Sequence, residues 1–381
     1  MQRAALILAL LFLCGCSGLP TAPVQTVSTV PAETVAIIAT AESTSPPDPV
    51  MTLLDSLSVE EKVGQLFLAR CPEEGALEDI KKYHLGGYIL FSRDFDNETP
   101  QSIISTISSY QKAASLPMLI AVDEEGGGVC RVSANPQFRS SRFSSLRKLY
   151  SSGGLERILE EETEKCQLLT TLGINVNMAP VCDITTDPNA FMYKRSLGQD
   201  AETTAQCISL ITQQMKTGKI GSVLKHFPGY GNNKDTHTGI VKDVRSLSQL
   251  EQRDLLPFQA GINTGCDAIL ISHTIVAAID ESLPASLSGS VISYLRNTMQ
   301  FNGVIVTDDL AMKAITKIYP VGEAAVMAVL AGNDLLCSSD YQQQYAAILD
   351  AVNIGRISKA QLDSAVYRVL QWKFALELLE F

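Results

Sequence analysis

The sequence predicts an α/β fold, a (β/α)8 barrel of the TIM type, and three observations carry that expectation. Eight short apolar runs recur along the chain, each followed by a longer stretch of helical period. Charged and polar residues gather directly after those runs, where a barrel keeps its working face and random surface charge has no reason to concentrate. Residues 51–381, with an ordinary apolar fraction, are long enough for one large domain or two small ones.

In order, the strand candidates are residues 65–68, 87–91, 118–122, 174–181, 222–226, 268–272, 303–307 and 334–337. The clearest helical periods between them cover 248–263 and 321–331. Ser58-Val59-Glu60-Glu61 has the spacing of a capping box opening the first helix, and Ser358-Lys359-Ala360-Gln361 opens the last. The same alternation would also suit an open, doubly wound sheet.

The first fifty residues read differently. Met1-Gln2-Arg3 is a short basic start, and residues 4–13 form an apolar run too short to span a bilayer but right for a signal sequence. Leu13-Cys14-Gly15-Cys16 looks like a bacterial lipobox, so residues 1–16 are expected to be a lipoprotein signal peptide, with Cys16 lipidated after cleavage. Residues 17–50 hold six of the sixteen prolines, many Thr, Ser and Ala, and no Lys or Arg, which suits a disordered tether. The expected location is extracytoplasmic, anchored to a membrane by lipid.

Composition removes several classes of function. A net charge of -11 with no basic stripe argues against nucleic acid. Beyond residue 50 the seven cysteines are scattered, without CxxC spacing, which suits neither a disulfide scaffold nor a zinc site, and most of them read as small core residues. No metal or cofactor is expected, and the chain is expected to be a monomer.

The strand ends carry the chemistry. Asp123-Glu124-Glu125 follows the third run, Asp183 the fourth, Lys225-His226 the fifth, Ser272-His273 the sixth and Asp308-Asp309 the seventh. Two of the four histidines fall between 225 and 237, where a strand breaks at Pro228 into a Gly- and Asn-rich loop carrying Asp235 and His237. An acid and an imidazole on a loop suit binding of a polar substrate and proton transfer. Several carboxylates with histidine and lysine, and no phosphate-binding glycine loop, point to carbohydrate chemistry, where glycoside hydrolysis needs one carboxylate beneath the sugar and a proton donor beside the leaving oxygen.

Lys225-His226-Phe227-Pro228-Gly229, Asp235-Thr236-His237, Asp123-Glu124-Glu125-Gly126-Gly127 with Arg131, and Val306-Thr307-Asp308-Asp309-Leu310-Ala311-Met312 resemble glycoside hydrolase family 3, most of all its bacterial exo-β-N-acetylglucosaminidase branch. The resemblance runs from about Ser56 to the closing helix and implies a single catalytic barrel domain. It also implies that Asp308 is the nucleophile, that His237 is the acid/base with Asp235 as its orienting partner, and that Asp123, Arg131, Arg195, Lys225 and His226 hold the sugar. Asp309 suits a helix cap better than catalysis, Asp183 a hydrogen bond within the mouth, and His273 either the core or a ligand contact. Should His237 fail as the acid, Glu124 and Asp309 are the next carboxyls to consider. The chain departs from the family pattern at Tyr230, where histidine is usual, at Gly128, where Arg is common, and in a dyad loop one residue shorter. The implied activity is retaining hydrolysis of terminal β-N-acetylglucosaminides from cell-wall glycan; a phosphorylase of the same branch, a β-glucosidase and a lipid-anchored sugar-binding protein are the alternatives.

Overall fold

The structure, a computed structural model, describes residues 48–381. The expected signal peptide, Cys16 and nearly all of the tether lie outside the described residues. Residues 48–50, ahead of the expected boundary at Met51, already belong to the fold. Asp48 caps the helix Pro49–Ser56 by accepting from the Val50 N–H at 2.9 Å, and its other oxygen accepts from the Tyr367 hydroxyl at 2.5 Å. Val50 and Leu54 are buried on that helix, so the segment is fastened to the body of the fold rather than free.

Eight strands form one parallel sheet: β1 (Phe67–Arg70), β2 (Gly87–Leu90), β3 (Leu119–Val122), β4 (Val176–Asn177), β5 (Gly221–Phe227), β6 (Ala268–Ile271), β7 (Val304–Thr307) and β8 (Leu336–Ser338). Neighbours follow chain order except that β8 returns beside β1, with Phe67 opposite Leu336. The circle closes where Val306 bridges Leu335 and the Thr307 N–H donates to the Leu335 carbonyl at 3.0 Å. Asp334 clasps this seam, accepting from the Ile305 N–H at 2.8 Å and from the guanidiniums of Arg296 and Arg368. A closed parallel barrel excludes the open-sheet alternative. Seven of the eight strands fall within or nearly on the expected runs; the first lies two residues later, because Gln65 still belongs to the helix Val59–Gln65.

Strand alternation sorts the core. Ala268, Leu270, Val304 and Val306 point into the barrel, while Ile269, Ile271 and Ile305 meet the helices outside. The N-terminal end is floored by Val369 and Trp372 from the last helix, Lys359–Ala375. Gly221 opens β5 against that tryptophan: a Cβ there would stand 2.9 Å from the indole ring, so a side chain would displace the floor. On the same helix Lys373 is fully buried, and its Nζ donates to Gln65 Oε1 at 2.6 Å.

Helix signals read from the sequence are largely realised. Ser58 and Glu61 complete a reciprocal capping box. Ser358 caps its helix through the Gln361 N–H, but the Gln361 amide turns to the carbonyls of Val329 and Leu330 instead of closing the box. The helix Val321–Ala331 matches the expected span and stops at Gly332, whose φ of 106° favours glycine. The 248–263 period becomes Leu247–Gln249 and Leu255–Thr264 joined by a π turn at Leu250–Asp254. All seven cysteines among the described residues are buried and unpaired, as small core residues should be.

Candidate active site

The C-terminal strand ends surround a cleft of about 420 Å³ lined by Asp123, Arg131, Arg195, Lys225, His226, His237 and Asp308, so seven of the eight expected site residues among those described meet at one place. The eighth, Asp235, stands behind His237.

Local folding explains how consecutive residues reach the cleft. After β3 the chain runs into a short strand, Glu124–Gly126, that pairs with Val129–Cys130. Alternation then sends Asp123 and Glu125 one way and Glu124 the other. Glu124 is wholly buried, accepting from the N–H groups of Arg131 and Val132 at 2.8 Å and from the Ser133 hydroxyl. It anchors the loop that carries Arg131 and cannot serve as a reserve acid. On β5 the ladder with β6 slips between Leu224 and Phe227, which is where Lys225 and His226 both face the mouth. An uninterrupted strand would have turned one of them away.

These side chains form a continuous polar chain. Lys225 Nζ lies 2.6 Å from both Asp123 Oδ1 and Glu125 Oε1, and Arg131 approaches Asp123 at 3.5 Å. Glu125 is gripped bidentately by Arg195, at 2.9 and 2.6 Å. Arg195 also donates to His226 Nε2 at 3.1 Å, which fixes the imidazole proton on Nδ1, where it donates to Asp183 at 2.7 Å. Burial pushes the Glu125 carboxyl up, but the Arg195 and Lys225 cations outweigh it and hold the group well below the usual carboxylate range. Asp123 is likewise lowered, since Lys225 overcomes burial and the repulsion of Glu125, and the two carboxylates raise Lys225 in return. All three therefore stay charged at neutral pH.

Asp308 follows β7, its N–H donating to the Ile271 carbonyl at 3.0 Å and its Oδ1 accepting from the Asp309 N–H at 2.9 Å. Asp309 also lines the cleft, but its carboxylate is spent on the wall, accepting from the N–H groups of Ala311 and Ser339 and from the Ser339 hydroxyl. It caps a turn, as expected, though the helix after it begins at Lys313 rather than Leu310. His273 is a satisfied core histidine, its nitrogens bonded to the Ser286 hydroxyl at 2.7 Å and the Asp309 carbonyl at 2.9 Å. Burial lowers its pKa, leaving a neutral ring outside the cleft.

The dyad is built within one turn. Asp235 Oδ1 accepts from His237 Nδ1 at 2.6 Å and from the His237 N–H at 2.9 Å. The carboxylate thereby sets the tautomer and leaves Nε2 without a protein partner among the described residues. The His237 side chain is 60% exposed, beside the Phe191 ring at 6.3 Å.

Sequence reading missed two residues here. Glu125, the hub of the buried cluster, was legible from strand alternation, which puts it on the side of Asp123. Arg70 ends β1 and lies 4.7 Å over the Phe91 ring, its buried Nε without a partner among the described residues. Placing β1 two residues early left this arginine off the strand end.

Comparison with known proteins bears on the family and the fold. Residues 58–372 match the glycosyl hydrolase family 3 N terminal domain. The chain is 29% identical to the β-hexosaminidase LpqI of Mycobacterium tuberculosis over 96% of its own length and 94% of that protein's. It is 28% identical to β-hexosaminidase A of Pseudoalteromonas piscicida over 78% of this chain, and spans only about 55% of that longer relative. Among solved structures, a family 3 β-N-acetylglucosaminidase from Paenibacillus superposes with a TM-score of 0.79 at 33% identity, covering 85% of this chain and 63% of that one. With the family model matching most of the chain and the strand-end cluster in place, the protein belongs to glycosyl hydrolase family 3.

Proposed function

We propose that the protein hydrolyses terminal, non-reducing β-N-acetylglucosaminides with retention of configuration, acting on fragments of cell-wall glycan. The observation that carries this reading is the single cleft shared by Asp308, the His237–Asp235 dyad and a pre-paired polar cluster suited to sugar hydroxyls. The β-hexosaminidase and β-N-acetylglucosaminidase names of its relatives support the choice of sugar.

In the first step the Asp308 carboxylate attacks the anomeric carbon while the bond to the leaving oxygen breaks. The His237 imidazolium gives that oxygen its Nε2 proton, and Asp235 stabilises the cation before transfer. Water then attacks the glycosyl-enzyme, passes a proton to His237, and releases Asp308 and the sugar. Lys225, Asp123, Arg131, Arg195 and His226 hold the hydroxyls and the N-acetyl group, their charges fixed in place before the sugar arrives.

The deciding experiment is incubation with an aryl β-N-acetylglucosaminide, with and without inorganic phosphate. Free N-acetylglucosamine formed at a phosphate-independent rate is the expected product. Sugar 1-phosphate would make the enzyme a phosphorylase, since a histidine acid/base repels phosphate less than a carboxylate does, and binding without turnover would leave only a lectin-like role. The same proposal places the protein outside the cytoplasm, tethered by lipid on Cys16. Cys16→Ala should then move it from the membrane to the soluble fraction, and a processed wild type without lipid by mass spectrometry would refute the anchor.

A further inference from the structure

The two residues of the dyad are partly exposed, yet Thr236 between them is completely buried. Its hydroxyl lies 2.5 Å from the hydroxyl of Tyr230, itself only 1% exposed. Tyr230 is held from the other side by the strand-end cluster. Its N–H donates to Asp183 at 2.7 Å, the carboxylate that also fixes His226, and its ring stands edge-on to His226 at 5.4 Å. The phenol thus joins the buried, cross-linked part of the mouth to the exposed loop carrying the proton donor. Other bonds fasten that loop, from Arg245 to the Gly229 carbonyl, from Thr185 to Asn232 and from Lys317 to the Thr238 carbonyl, but these act outside the Asp235–His237 segment.

We propose that Tyr230 is a positioning residue for acid/base catalysis, holding the Asp235–His237 dyad over the cleft through its hydroxyl bond to Thr236. This rests on the reading of His237 as the acid/base. A phenylalanine at 230 would keep the ring packing against His226 and Phe191 but leave the Thr236 hydroxyl buried without a partner. The dyad turn would then sample other placements, and His237 would reach the leaving oxygen less often. Burial raises the Tyr230 pKa, with Asp308 adding to it, so the phenol keeps its proton through the working pH range.

The test uses the full chain with Tyr230→Phe, Thr236→Val, their double variant, Thr236→Ser and, as reference, His237→Gly. kcat/KM is measured over aryl β-N-acetylglucosaminides of graded leaving-group acidity. Tyr230→Phe and Thr236→Val are each expected to lower kcat/KM about tenfold for the least acidic leaving group and less than about twofold for the most acidic. Thr236→Ser should stay near wild type, and the double variant should be no worse than the weaker single one, because both remove the same bond. Equal losses across the series would show general loosening and overturn the proposal, as would no loss at all or a failure of serine to substitute. A steep series for His237→Gly beside a wild-type-like Tyr230→Phe would remove the latch alone. A flat series for His237→Gly would remove the acid role of His237, and the latch with it.

Discussion

Each end of the barrel buries a lysine, and the two are treated in opposite ways. At the C-terminal mouth Lys225 lies between two carboxylates at 2.6 Å and is raised by them, so it remains a cation. At the N-terminal floor Lys373 meets one amide oxygen and, among the described residues, no carboxylate, and burial alone pushes it down to about 7. Charge at the mouth is compensated by other charge, which under the proposed function keeps ions ready for a polar ligand. At the floor burial works against the charge instead, and a neutral side chain would do as well. The difference separates residues kept for chemistry from residues whose role is packing.

The largest effect should come from Asp308→Ala, which removes the attacking carboxylate. Turnover should fall on the order of 10⁴-fold while the folded state survives, because Asp308 makes few structural bonds. Steady-state assay beside a melting curve checks both halves, and near-normal activity in a folded variant would end its role as nucleophile. Glu125→Ala should damage stability as well as activity. It leaves Arg195 and Lys225 buried with one carboxylate fewer between them, at a cost of about 3–5 kcal/mol by chemical denaturation. If that loss proved below 1 kcal/mol, the mouth would be no better compensated than the floor.

His237→Gly probes the exposed part of the mouth. Stability should change by less than about 0.5 kcal/mol, yet kcat/KM for sugar leaving groups should fall roughly 10²-fold or more, with aryl substrates of acidic leaving group affected far less. Azide should restore turnover of the aryl substrates, since it attacks the glycosyl-enzyme without a general base. The smallest change is expected at the floor. Lys373→Met should leave activity alone and stabilise by about 2 kcal/mol near neutral pH, after allowing for the donor that Gln65 loses. A lysine ionises near 10.4 when unfolded, so between about 7 and that value the unfolded chain binds a proton that the folded chain does not. Wild-type stability should therefore gain from this group as pH rises through that window, and denaturation of the Met variant over the same range should lack that contribution.

The barrel was legible because closed parallel sheets need short apolar runs, and eight of them recur along the sequence. The strand ends were legible for the same reason, as abrupt charge after an apolar run has few structural uses. What stayed hidden depended on direction rather than composition. Glu124 and Glu125 are chemically alike, and only the pleat decides that one clasps a loop while the other bridges Arg195 and Lys225. Lys225 and His226 both enter the mouth through a slip in the β5–β6 ladder that no apolar pattern announces. His273 carries the same strand-end signature as Asp308, yet it serves the core because Ser286 and the Asp309 carbonyl satisfy both its nitrogens.

The seven buried thiols place a demand on how the chain matures. In the folded barrel burial pushes Cys71 and Cys130 up to about 11, so they are neither ionised nor accessible and resist oxidation. Before folding the same groups are open to solvent with an ordinary thiol pKa of about 8.5. If the chain is exported as proposed, it reaches an oxidising compartment in that vulnerable form, and any disulfide it makes there is non-native. Barrel closure at the Val306–Leu335 seam must then outrun thiol pairing, so folding speed, more than final stability, sets the yield of active protein.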